Sequence, residues 1–230
     1  MNNIGIYAIF EIISKIAIFL LIGYMAKSIS IEEFAEFSLI FPALQNLQIV
    51  FTYGFVVSIS AIYFTSSNKG GVIFSAILTW LILSISCLLM TYFIVTTYSD
   101  YFHESIQEIV VIIFGMSISL VLVQVYQLEL MAFKAALLLN GSKFLLFIMV
   151  LFLGFSGGIN LSRFLSGFAI IAIILGVFSF YKLISKSSKI FTPNIAKAHL
   201  LIGYPVVING IVAFLMVVSG RSVLAHIGVA

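Results

Sequence analysis

Two opposite charges, Glu11 and Lys15, stand four residues apart inside an apolar run near the start of the chain. That spacing places them on one helix face, where they can pair. A charge at the centre of a membrane span costs about 2.5–3.5 kcal/mol to insert, so the pair needs a reason. Two readings stay open: an interfacial pair that seats the helix, and a charge that faces a water-filled cavity. Gln45, Gln48 and Thr52, at i, i+3 and i+7, share a face of the next apolar run, which also carries Pro42 and Asn46. Such a stripe either glues helices together or lines a polar path, and Pro42 is expected to kink the helix. Ser117, Gln124 and Gln127 form a similar stripe that leads into Glu129 and Lys134. The last apolar run holds Gly203, Pro205, Asn209 and Gly210, and Arg221 follows it as either a lipid-interface anchor or a cavity cation.

The residue patterns of soluble chemistry are missing. His103, His199 and His226 are isolated in loops or at the chain end, without partners at metal-ligand spacing. The sequence has no phosphate-cradling glycine loop, nucleophile elbow or HExxH, and no cofactor is expected. Cys87 is the single cysteine and reads as a small core or lipid-facing residue. Gly154 and Gly158 read as a turn rather than a dimer contact, and the sequons at Asn140 and Asn160 as chance matches.

The elements that must position these residues are membrane spans. Of 230 residues, 63% are hydrophobic and 8% charged, against about 25% charged in a soluble domain. The mean hydropathy is +1.26. This composition describes an integral, multi-pass membrane protein. The net charge of +3 is small and its lysines are scattered, so there is no footprint for nucleic acid. The first run lacks a cleavage site and is expected to remain as a span. A span needs about 20 mostly apolar residues. Seven runs qualify: Ile4–Ala26, Phe34–Phe55, Val72–Val95, Ile106–Tyr126, Ala135–Phe155, Phe164–Lys182 and Leu200–Val218. The fold class expected is all-α, a polytopic bundle of about seven transmembrane helices.

Loop charge sets the expected orientation. The even connections and their flanks carry Lys69, Lys134, Lys143, Lys182, Lys186, Lys189 and Lys197. The odd connections carry only Lys27 and Arg163 as bases, alongside Glu32, Glu33, Glu36, Asp100 and Glu104. The N-terminus and the even connections are therefore expected in the cytoplasm. Residues 1–185 read as a six-helix lobe, 186–199 as a basic cytoplasmic linker broken by Pro193, and 200–230 as the first helix of a second, truncated lobe. The linker's lysines fit ordinary positive-inside topology, with contact to anionic lipid as the alternative.

The opening stretch resembles a family. Ser30, Glu32, Glu33, Phe34, Phe37, Ser38 and Leu39 follow the pattern (S/G)-x-E-E-(F/Y)-G-x-(F/Y)-S-L, with Ala35 where glycine is usual. This is similar to the start of bacterial O-antigen and polysaccharide flippases (Wzx-type), within the multidrug/oligosaccharidyl-lipid/polysaccharide exporter superfamily. Gly203 and Pro205 match that family's G-x-P, and Arg221 the arginine of its D-R pair, whose acid is replaced here by Gly220. The resemblance implies two six-helix bundles around a cavity of alternating access, in the bacterial inner membrane. It implies transport, not catalysis, of a polyprenyl-pyrophosphate-linked glycan from the cytoplasmic to the periplasmic leaflet. A polysaccharide polymerase and a chain-length regulator are the implied protein partners. Under it, Lys15, Lys134 and Arg221 are candidates to bind the pyrophosphate–sugar head, and Glu11 and Glu129 to couple transport to an ion. Gln45, Gln48 and Gln124 would line the cavity. The rival readings are a drug or cation antiporter of the same superfamily and an inactive half-transporter. A membrane polymerase or ligase lacks the sizeable periplasmic loop it would need.

Overall fold

The structure is a computed structural model and describes residues 3–97, 106–156, 158–188 and 190–226. Among the described residues eight helices run in chain order: α1 (Asn3–Ser28), α2 (Ile31–Val50), α3 (Phe55–Tyr63), α4 (Lys69–Thr97), α5 (Ile106–Leu128), α6 (Ala132–Phe155), α7 (Leu161–Lys186) and α8 (Pro193–His226). No strand occurs among the described residues. Counting α2 and α3 as one interrupted span, seven segments among the described residues are long and apolar enough to cross a membrane. The chain is an all-α, multi-pass membrane bundle.

Helix boundaries move from their expected places for local reasons. The second helix starts at Ile31, not Phe34, because Ser30 caps it: its hydroxyl accepts from the Glu33 N–H at 3.2 Å. Glu32 and Glu33 occupy the first turn, where negative charge complements the helix dipole. The acidic motif is thus the start of a helix, and the first connection shrinks to two residues. Asn160 does the same for α7, its side-chain oxygen accepting from the Arg163 N–H at 2.8 Å.

The second span does not end at Phe55. Its helix runs unbroken across Pro42, is interrupted at residues 51–54, and resumes as α3. Tyr53 and Gly54 both take positive φ, 50° and 71°. Side chains meet two of the carbonyls at the opened turn, as backbone at membrane depth requires, while the buried Tyr53 hydroxyl has no partner among the described residues. The Trp80 indole N–H donates to the Phe51 carbonyl at 3.0 Å, and the Thr52 hydroxyl donates to the Ile49 carbonyl at 2.7 Å.

The last connection is shorter than the expected 186–199. Pro193 begins α8, a first-turn position that tolerates its missing N–H, so residues 193–199 are helical. α8 packs on α2, α3 and α4.

Two apolar cores join the rest. One centres on Phe37, Phe41, Phe164 and Phe168, with the Phe37 and Phe164 rings edge-to-face at 5.2 Å. The other gathers Phe55, Ile59, Trp80, Leu122 and Leu183. Where lipid is as apolar as leucine, helices associate through close packing of small residues. α5 and α7 do so at Gly115 and Gly176: a Cβ on Gly176 would lie 2.8 Å from the Gly115 Cα. The Ser179 hydroxyl donates to Ser119 at 3.1 Å along the same seam.

Candidate functional site

The charged pair of the opening stretch sits at mid-height of α1. Lys15 is the thirteenth of that helix's 26 residues, about 18 Å from its start at 1.5 Å per residue. Lys15 thus closes the first half of α1, and Glu11 lies one turn earlier. Its Nζ lies 3.4 Å from Glu11, and the Lys15 and Glu11 side chains are 75% and 45% exposed. The pair is surrounded by apolar residues that are themselves uncovered: Ile12, Ile16 and Phe19.

α1 and α6 pack in parallel. Phe10 meets Phe133 near their starts, with ring centroids 5.6 Å apart, and Tyr24 lies against Gly154 near their ends. Beside the first of these contacts Glu11 and Asn140 line one open cavity of about 400 Å³, with Ile4, Tyr7, Ala8 and Leu139. Asn140 is 2% exposed, and neither its amide nitrogen nor its oxygen has a partner. A buried carboxamide left unpaired is expensive unless water or a ligand meets it. Lys143 follows Asn140 by three residues and is the twelfth of 24 residues in α6. It belongs in the middle of a span, not with the connection lysines, which reduces that group from seven to six. No carboxylate pairs with it among the described residues. Glu11, Lys15, Asn140 and Lys143 thus form a mid-height polar belt on two neighbouring helices, with two cations to one carboxylate.

The other expected site residues are dispersed. Gln48 is buried while Gln45 is exposed, so the stripe on α2 does not face a single environment. Gln124 on α5 donates its amide N–H to the Ser60 hydroxyl on α3 at 2.7 Å, tying two helices together. Glu129, in the tight turn between α5 and α6, accepts from Lys186 at the end of α7, and both are largely buried. The Tyr126 ring lies between the cations, 5.6 Å from the Lys186 Nζ and 5.9 Å from that of Lys134. Lys134 thus belongs to this lysine-rich end of the bundle and not to the mid-height belt. Arg221 lies on α8, and its side chain falls outside the described residues. His103 also lies outside them.

His199 is the residue whose setting differs most from expectation. It is fully buried in α8, its Nδ1 2.8 Å from the Ser58 hydroxyl on α3 and its Nε2 3.3 Å from the Val72 carbonyl on α4. A carbonyl can only accept, so Nε2 carries a proton and Nδ1 receives the serine hydroxyl of the neutral ring. The Thr-Pro pair at 192–193 was the available signal: a helix begun there places His199 inside it. No group of three or more histidine, cysteine, aspartate or glutamate side chains could hold a metal ion among the described residues. Comparison with known proteins adds nothing to this geometry, since no family model, curated protein or solved structure matches the chain.

Proposed function

We propose that the chain is a transport unit of the polysaccharide-flippase type, moving a polyprenyl-pyrophosphate-linked glycan from the cytoplasmic to the periplasmic leaflet of a bacterial inner membrane. One observation carries the proposal: an uncovered ion pair at mid-height of α1, level with Lys143 and the unpartnered Asn140 on α6. Charge at that depth does not face lipid cheaply, so the α1 surface is assigned to a water-filled path closed by a further lobe or a second copy. Two lysines against one glutamate leave a net positive belt, suited to a pyrophosphate. The Asn140 carboxamide of the belt and the Tyr7 hydroxyl of the adjoining cavity suit a sugar. The interrupted α2–α3 span adds support, because broken helices are recurrent hinges and binding elements in transporters.

In this reading Lys15 and Lys143 hold the pyrophosphate, and Glu11 exchanges Lys15 for a proton or cation between access states. Arg221 remains assigned to the cargo head by family resemblance. The Glu11–Asn140 cavity also favours a second reading, a cation or drug antiporter, because a carboxylate and a carboxamide oxygen suit a cation. Proteoliposomes separate the two. Protection of a lipid-linked oligosaccharide from an external glycosidase, without movement of organic cations, supports the flippase. Organic-cation exchange with no glycan movement supports the antiporter.

A further inference from the structure

A groove runs along the outer surface of α6 and α7 at the lysine-rich end, with a volume of about 730 Å³. Leu137, Phe144 and Leu145 of α6 and Ile174 and Phe178 of α7 form apolar walls that are exposed to the surroundings of the bundle. Gly141 leaves its floor open: a Cβ there would meet only a Leu137 methyl, at 3.7 Å. Lys134 and Lys182 stand at one end of the groove. The Lys134 Nζ lies over the Tyr126 ring at 5.9 Å, and that of Lys182 over the Phe178 ring at 5.8 Å. Neither lysine has a carboxylate partner among the described residues, since Glu129 is taken by Lys186.

We infer that this groove holds one anionic phospholipid of the leaflet on the lysine-rich side, its phosphate between Lys134 and Lys182 and one acyl chain along the apolar walls. Charge fixes the headgroup end, because two ammonium groups held on aromatic faces at a membrane boundary recognise a phosphate. Length fixes the occupant. From Lys134 to Leu145 is eleven residues, about 16 Å of helix, close to half of the roughly 30 Å hydrocarbon core. A single leaflet's acyl chain fills such a slot with its phosphate at the interface. The groove shares no lining residue with the Glu11–Asn140 cavity and does not depend on what the chain transports.

The test is native mass spectrometry of the whole chain released from nanodiscs of phosphatidylglycerol mixed with phosphatidylcholine. Wild type should retain one phosphatidylglycerol in preference to phosphatidylcholine. Lys134→Ala/Lys182→Ala should lower that retention about thirtyfold, the factor that two surface phosphate contacts of about 1 kcal/mol each give. Gly141→Leu, which fills the slot and keeps both lysines, should lower retention comparably, with helical circular dichroism unchanged in both variants. Retention of phosphatidylglycerol unchanged in either variant would overturn the site. So would equal retention of phosphatidylcholine, or binding of soluble glycerol phosphate as tight as that of the lipid.

Discussion

Gly54 and Gly203 meet backbone to backbone: a Cβ added to Gly54 would fall inside the Gly203 backbone, and one on Gly203 would sit 2.5 Å from the Tyr53 carbonyl oxygen. This contact seats α8 on the interruption between α2 and α3. It also gives the G-x-P of the seventh span a physical reason, since only glycine permits that approach while Gly54 holds its left-handed turn. Gly203→Leu is expected to destabilise the bundle by about 1–3 kcal/mol or more, as overpacking does. Thermal unfolding in detergent measures it, with Gly23→Ala as the neutral comparison because nothing lies within 4 Å of that position. Equal melting temperatures for the two variants would contradict the contact.

The Glu129–Lys186 pair locks the α5–α6 turn to the end of α7. Removing one partner strands a largely buried charge, so Glu129→Gln and Lys186→Met should each lose about 1.5–3 kcal/mol, the range for a hydrogen bond to a charged group. The exchange Glu129→Lys/Lys186→Glu should recover much of that loss in the same unfolding measurement. A double exchange no better than the worse single variant would argue that the pair is incidental.

Ser58 and His199 join residues 141 apart in sequence. Ser58→Ala leaves the His199 Nδ1 buried without a donor, at a cost of about 1–3 kcal/mol. His199→Leu leaves the Ser58 hydroxyl only its longer contact to the Phe55 carbonyl, at 3.4 Å. The double variant should be less destabilised than the two single losses added together, a positive coupling in a double-mutant cycle. Strict additivity would show that the two side chains do not depend on each other.

The spans were legible because a run of twenty apolar residues has few alternatives. Their edges were not, because local chemistry disguised them. Ser30 with Glu32 and Glu33 looks like a polar loop and is a capped first turn. Thr-Tyr-Gly at 52–54 is too apolar to announce a break, which only the positive φ at Tyr53 and Gly54 reveals. Within the site, the Glu11–Lys15 pair was readable because i, i+4 spacing is local. Asn140 and Lys143 were not, since their meaning depends on α6 lying parallel to α1 at a particular register. Glu129 was visible as a carboxylate at a span's end, but its partner Lys186 lies 57 residues away.

The central claim is that Lys15 belongs to a polar transport path, and its direct test is the translocation rate of a polyprenyl-pyrophosphate-linked oligosaccharide in proteoliposomes containing this chain. Lys15→Ala should slow translocation at least about tenfold, the effect of losing one charge-assisted contact of about 1.5–3 kcal/mol. Its helical content should stay that of wild type, because the side chain is 75% exposed. Lys15→Arg, which keeps the charge, should retain most of the rate. Wild-type translocation by Lys15→Ala would remove Lys15 from the mechanism and contradict the account.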